Sequence, residues 1–118
     1  MGTTYRKGDV LLVTLTYSSQ TGVKKRPVVV LRDVGDADLL VAPVTSQSSR
    51  CAYDVALADW QQEGLRLPSV VRTEKLATVE KSAVVRALGK LSERDRNAVE
   101  AKLAVVFREI VPPTSPTR

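Results

Sequence analysis

The 118-residue chain is 43% apolar and 26% charged; this suits one packed core, argues against wholesale disorder, and leaves no apolar run near the ~20 residues of a membrane-spanning helix. One cysteine and no histidine exclude an internal disulfide, the usual zinc ligand sets and the commonest general acid–base, so proton transfer is left to carboxylates, hydroxyls, lysine or arginine. The net charge of +5 is uneven, with six Lys/Arg against one acid in residues 1–32, one against six in 33–64, six against two in 65–91 and five against four in 92–118; folded onto one face, the two basic stretches would attract a polyanion such as RNA, the alternative being a solvated surface.

Met1–Asp9 is polar and lacks the apolar segment of a secretory signal, which predicts a cytoplasmic protein. A strand follows over Val10–Tyr17, where Val13, Leu15 and Tyr17 alternate with Thr14 and Thr16. Turn residues in "SSQTGVKK" (Ser18–Lys25) lead to Val28–Leu31, apolar throughout, as expected of a central strand buried on both faces. Pro27 stands at its start, where proline is tolerated. Further strands are predicted at Leu39–Val44, Ala52–Leu57, Ser69–Arg72 and, more weakly patterned, Val84–Leu88, with a short helical turn near Val79–Ala83. The series reads as a small antiparallel barrel. One long helix is predicted over Glu93–Ile110, with Ser92 as N-cap, Glu93 and Asp95 favouring its positive end, and an apolar stripe of Val99, Leu103, Val106 and Ile110. The single domain is expected to span residues 1–111, and the proline-rich residues 112–118 to form a disordered tail.

Three segments hold candidate chemistry. Pro27 disfavours the α region for Arg26, holding that arginine extended where its planar fork can grip a phosphate, with Lys24 and Lys25 as looser contacts; an ordinary hairpin loop is the alternative. "TSQSS" (Thr45–Ser49) sets hydroxyls and an amide at a strand end, either as a plain turn or, if near Arg26, with Thr45 and Ser46 as donors to a phosphate oxygen. In "SVVRTEKLATVEKS" (Ser69–Ser82), Arg72 and Glu74 fall on one face if extended, as a surface ion pair or as a carboxylate placed to take a proton beside a phosphate-binding arginine. Trp60 reads as a plug at the edge of the core rather than a base-stacking platform, and Cys51 as a small inert residue.

Taken in order, "YRKGDVLLV" (Tyr5–Val13), "KKRPVVVL" (Lys24–Leu31), "LLVAPVTSQ" (Leu39–Gln47), "SVVRTEKLATVEKS" and "LGKLSERD" (Leu88–Asp95) resemble the MazF/PemK toxin family over nearly the whole folded chain. The resemblance implies a mainly β fold, an SH3-like small antiparallel barrel of the MazF/CcdB type with a C-terminal α-helix. It implies a symmetric homodimer that cleaves single-stranded RNA through the substrate's own 2′-hydroxyl, without metal or other cofactor, and a cognate antitoxin with an acidic, partly disordered segment. By similarity, Arg26, Thr45, Arg72 and Glu74 take catalytic positions, and Lys24, Lys25, Ser46, Gln47 and Lys75 are expected to contact RNA. This chain has Glu74 where PemK-like relatives carry Asp, and Lys75 where many relatives carry Gln. A CcdB-like gyrase poison and a catalytically silent RNA- or antitoxin-binding relative are the competing readings of the same fold.

Overall fold

The computed structural model describes residues 3–16, 23–49 and 51–114. The β-branched and aliphatic runs pair as antiparallel strands: β1 (Asp9–Thr16), β2 (Val23–Arg32), β3 (Asp38–Thr45), β4 (Asp54–Ala56), β5 (Val70–Arg72), β6 (Ala77–Glu80) and β7 (Val84–Lys90). They form one sheet in the order β4-β5-β3-β2-β1-β7, with β6 on β3 off this path. β3 is the hub. Its first residues, Asp38 to Val41, pair with β6, its last two pair with β5, and β2 lies along Leu40 to Pro43. The sheet curls in the manner of a barrel, but its end strands β4 and β7 do not pair with each other.

The apolar character of Val28–Leu31 follows from cover on both faces of the sheet. Val29 joins one buried cluster with Val10, Ala42, Val44, Val71, Leu57, Leu65, Leu91 and Val99, whereas Val28 and Val30 join the other with Leu11, Val13, Leu39, Val41 and Val79. Full burial of such a side chain contributes about 1.5–3 kcal/mol, so neither face can be polar without loss. Trp60 packs, partly buried, against the first cluster, the edge-of-core position its sequence context suggests.

Helix α1 (Glu93–Ile110) begins where expected: Ser92 is extended (φ −64°, ψ 162°) and its Oγ accepts from the Asp95 amide at 3.2 Å. Asp95 does more than favour the dipole. It is buried, and its two oxygens accept the main-chain amides of Ala58 (3.0 Å) and Asp59 (2.9 Å), fixing the loop after β4 to the start of the helix. Of the apolar stripe, Val99 and Val106 are buried and Leu103 packs on the core, but Ile110 is 64% exposed.

The strands differ from expectation in three places. β2 starts five residues before Val28, because Val23 to Arg26, though exposed and mostly polar, pair with Thr16 to Val13 of β1. β4 is shorter than Ala52–Leu57, since only Asp54 to Ala56 find partners on β5. The segment near Val79 is strand up to Glu80, held by β3, and only Lys81–Ala83 form a 3₁₀ turn. Tyr17, loop residues 18–22 and tail residues 115–118 lie outside the described residues.

Candidate nucleic-acid interface

The strand register brings the first two candidate segments together. β2 and β3 pair antiparallel with Val28 opposite Pro43; carrying that register two residues further sets Arg26 across from Thr45. Thr45 in turn pairs with Val70, so Arg72 follows two residues on along β5. Arg26, Thr45, Ser46, Gln47, Arg72 and Lys75 all line one cavity of about 600 Å³. Lys24, Lys25 and Glu74 are exposed and are not among its lining residues.

Local hydrogen bonds hold these groups. Thr45 Oγ1 accepts from the Gln47 amide at 3.1 Å, which orients the hydroxyl and leaves its proton for another acceptor. Arg72, three-quarters buried, faces Asp54, with Nε 3.7 Å from Oδ1, and its Nε has no hydrogen-bond partner among the described residues. The surface ion pair of Arg72 with Glu74, one of the two readings of that segment, does not form. Glu74 has left the strand for the turn after β5, where its Oε2 lies 3.5 Å from the Cys51 thiol. Buried Thr73, between the two, donates from Oγ1 to the Tyr53 carbonyl at 2.6 Å and so braces that turn. The Tyr53 hydroxyl donates to Glu109 of α1 (2.6 Å to Oε1), a bond that pushes its pKa above the usual phenolic value.

Among the described residues five cations line the cavity, Arg26, Arg66, Arg72, Lys75 and Arg86, and no acidic residue does. Leu12, Pro27, Pro43, Leu65 and Leu88 line it as well and give it apolar surface. Arg66 and Arg86 were not candidates from the sequence. A signal for Arg86 did exist, because a period of two along Val84–Leu88 sets it on the face that Leu88 shares, but which strand lies beside it is a matter of register.

The carboxylates that do cluster lie elsewhere. Asp59, Glu63 and Asp95 bring one oxygen each within 4.8 Å of one another. They are engaged as a latch at the start of α1: Asp59 binds Arg94 (2.7 Å) and the Ser92 hydroxyl (2.6 Å), and Glu63 Oε2 accepts from the Ser92 amide at 2.8 Å. The cation beside Asp59 holds its carboxyl below the usual range. Burial, aided by the Asp95 carboxylate, pushes Glu63 up to about 7.

A family model described as PemK-like, MazF-like toxin of type II toxin-antitoxin system matches residues 6–107. No curated protein sequence matches the chain. Among solved structures, an endoribonuclease in complex with its cognate antitoxin from a mycobacterial species is similar with a TM-score of 0.73 at 18% identity, over 94% of this chain and 100% of that one. The Mycobacterium tuberculosis toxin MazF-mt6 is similar with a TM-score of 0.70 at 23% identity, over 84% and 95%. A MazE–MazF structure from Deinococcus radiodurans gives 0.69 at 20%, over 86% and 94%. At these identities the structural likeness speaks for the fold.

Proposed function

Because this chain belongs to the PemK-like, MazF-like toxins of type II toxin–antitoxin systems, we propose that it is a metal-independent, sequence-specific endoribonuclease acting on single-stranded RNA in the cytoplasm. The observation that carries this reading is the cavity at the strand ends, which Arg26, Thr45 and Arg72 line together and where the described residues supply five cations and no acid. Such a site suits a phosphodiester before and during cleavage, since the charge on phosphorus oxygens grows as the nucleophile adds. Its donors are guanidinium, ammonium, hydroxyl and amide groups, which bind phosphate well and divalent cations poorly.

In the proposed reaction the ribose 2′-hydroxyl attacks the adjacent phosphorus and gives up its proton to Glu74. The bond from phosphorus to the 5′-oxygen breaks, and that oxygen leaves with a proton from solvent or a neighbouring donor, giving 2′,3′-cyclic phosphate and 5′-hydroxyl ends. Arg26 and Arg72 stabilise the pentacoordinate phosphorane, and the Thr45 proton goes to a non-bridging oxygen. The arginines act electrostatically, because a group with pKa above about 12 is a poor proton donor at neutral pH. Lys24, Lys25, Ser46, Gln47 and Lys75 contact the RNA chain on either side. Glu74, exposed between the lining residues Arg72 and Lys75, reaches the 2′-hydroxyl only of an RNA seated across that turn.

The working unit is proposed to be a homodimer, inhibited by an antitoxin whose acidic, partly disordered segment folds onto the basic cavity; the first half of β7, which pairs with no strand but β1 among the described residues and has Val85 42% exposed, is a surface a second copy can use. Incubation of the purified protein with mixed single-stranded RNA in excess EDTA, followed by end mapping, tests the function. Defined cuts with 2′,3′-cyclic phosphate ends, lost in Arg26→Ala, are expected. No cutting by a folded dimer returns the choice to gyrase poisoning or silent binding, and full activity in Glu74→Gln removes Glu74 as the base.

A further inference from the structure

Arg66 and Arg86 come from parts of the chain twenty residues apart, yet both line the cavity, and a backbone seam explains how. Gly64 has φ +91°, and a Cβ built there collides with the Leu88 carbonyl oxygen; a Cβ on Gly89 would lie 2.6 Å from the Glu63 carbonyl oxygen. The loop after Trp60 therefore rests main chain to main chain on β7, and only glycine permits that approach on either side. Arg66 stands two residues beyond the seam on the loop, and Arg86 two residues before Leu88 on β7. Downstream, Ser69 Oγ donates to the Leu67 carbonyl at 2.7 Å and braces the far end of the same loop.

This wall is distinct from the one that carries Arg26 and Thr45. Leu12 of β1 pairs with Pro27 on one side and Arg86 on the other. Two strand spacings, about 10 Å, thus separate the backbone beside Arg26 from that of Arg86. Both Arg66 and Arg86 are exposed, and neither forms an ion pair among the described residues, whereas Lys7, Lys81, Arg94 and Arg96 are all paired to carboxylates. Two guanidinium groups without an ion pair, lining a cavity that has no acid among its described residues and that Leu12, Leu65 and Leu88 also line, are suited to a second anion rather than to folding.

We infer that Arg66 and Arg86 form a second phosphate site, which seats the phosphodiester next to the one that is cut. The inference rests on the RNA-cleaving reading above and adds to it two binding residues that set how the strand crosses the cavity. Both arginines grip that one backbone phosphate, so the contact contributes affinity and register rather than base selection. It also predicts a minimum substrate: an RNA carrying a phosphate beyond the cut linkage binds more tightly than one that ends there.

The test uses the full-length protein with short single-stranded RNAs containing its mapped cut site. The nucleotide supplying the 2′-hydroxyl is made 2′-deoxy to stop chemistry, and one linkage at a time is made a neutral methylphosphonate. Arg66→Ala and Arg86→Ala are each expected to weaken binding and lower the slope of log affinity against log salt, and the double substitution to lower it by about 0.7, the value of one phosphate contact on a single strand. On the RNA whose neighbouring linkage is neutral, the same substitutions are expected to change nothing further. With cleavable RNA the loss falls mainly on KM, while Arg26→Ala loses kcat. Arg86→Lys, which keeps the charge, restores the salt slope, and melting curves confirm that the variants are folded. An unchanged slope, or a loss that persists with the neutral linkage, overturns the second site while the nuclease reading stands if the wild type cuts. A drop in kcat as large as that of Arg26→Ala also overturns it, by assigning these arginines to the phosphate being cleaved. A wild type that neither binds nor cuts single-stranded RNA overturns both.

Discussion

The Thr45 hydroxyl is held by one hydrogen bond, received from the Gln47 amide, and is thereby aimed without being used up. In the proposed reaction, removing a donor of this kind lowers turnover by about 10²–10³. Thr45→Ala is expected to show that loss in single-turnover cleavage, and Thr45→Ser to recover most of it; equal activity in all three proteins would remove the hydroxyl from the reaction. The residue types at Arg26, Thr45 and Arg72 were legible in the sequence, because proline and turn residues beside them mark strand ends. What places them in one cavity is pairing across β2, β3 and β5, which no single segment encodes. Arg66 and Arg86 were hidden for the same reason, each looking like an ordinary solvated arginine until the glycine seam is known.

Glu63 sets a second expectation at this scale. Its folded pKa, about 7, lies above the ordinary 4.5 because its carboxyl is buried beside Asp95. The folded state therefore holds a proton that the unfolded state releases, so the contribution to stability is complete below pH 4.5 and is lost as pH rises through about 7. Asp33, lowered because its carboxylate accepts from the Tyr5 and Gly35 amides, and Asp59, lowered beside Arg94, act oppositely and at lower pH, losing their contribution only as pH falls through their depressed values. With no histidine in the chain, Glu63 is the carboxyl whose raised pKa falls in the interval between pH 6 and 8. Thermal melting is expected to fall across that interval in the wild type and to stay level in Glu63→Gln; parallel profiles would contradict the assignment.

Among the elements, α1 was the most legible, since Ser92, the acidic first turn and a 3.6-residue stripe are all local signals. Asp95 carried a further meaning that sequence position does not reveal. Its replacement by alanine leaves the Ala58 and Asp59 amides without their acceptor, each at about 1–3 kcal/mol. Asp95→Ala is expected to lower unfolding free energy by about 3 kcal/mol in urea titration, whereas Asp95→Asn, which keeps one acceptor, loses less. A change below 0.5 kcal/mol would show that the latch does not hold the loop. The polar half of β2 and the four residues of β6 were not legible, because partners on β1 and β3, rather than propensity, make them strands.

For the molecule as a whole, the two clusters share the sheet as a common partition, so damage to either face loosens the strands that carry the cavity. Leu39, fully buried in the cluster opposite α1, tests this at a distance from the site. Leu39→Ala is expected to lose about 2–5 kcal/mol of stability, and the cleavage pattern of the fraction that remains folded should be unchanged. The barrel character was legible from the spacing of strands and turns, but the open ends of the sheet were not, since closure depends on which edges meet in space.

The seam at Gly64 and Gly89 separates two kinds of freedom in the cavity wall. At its root the loop has no room for a side chain and is locked to β7, whereas Arg66, Leu67 and Pro68 are exposed at its crest. A part anchored this way works like a keyed shank with an exchangeable bit: residues 66–68 can be traded without disturbing the seat. Transplanting that tripeptide between members of the family should therefore carry over the handling of nucleotides beyond the cut, while the cutting chemistry stays with the recipient.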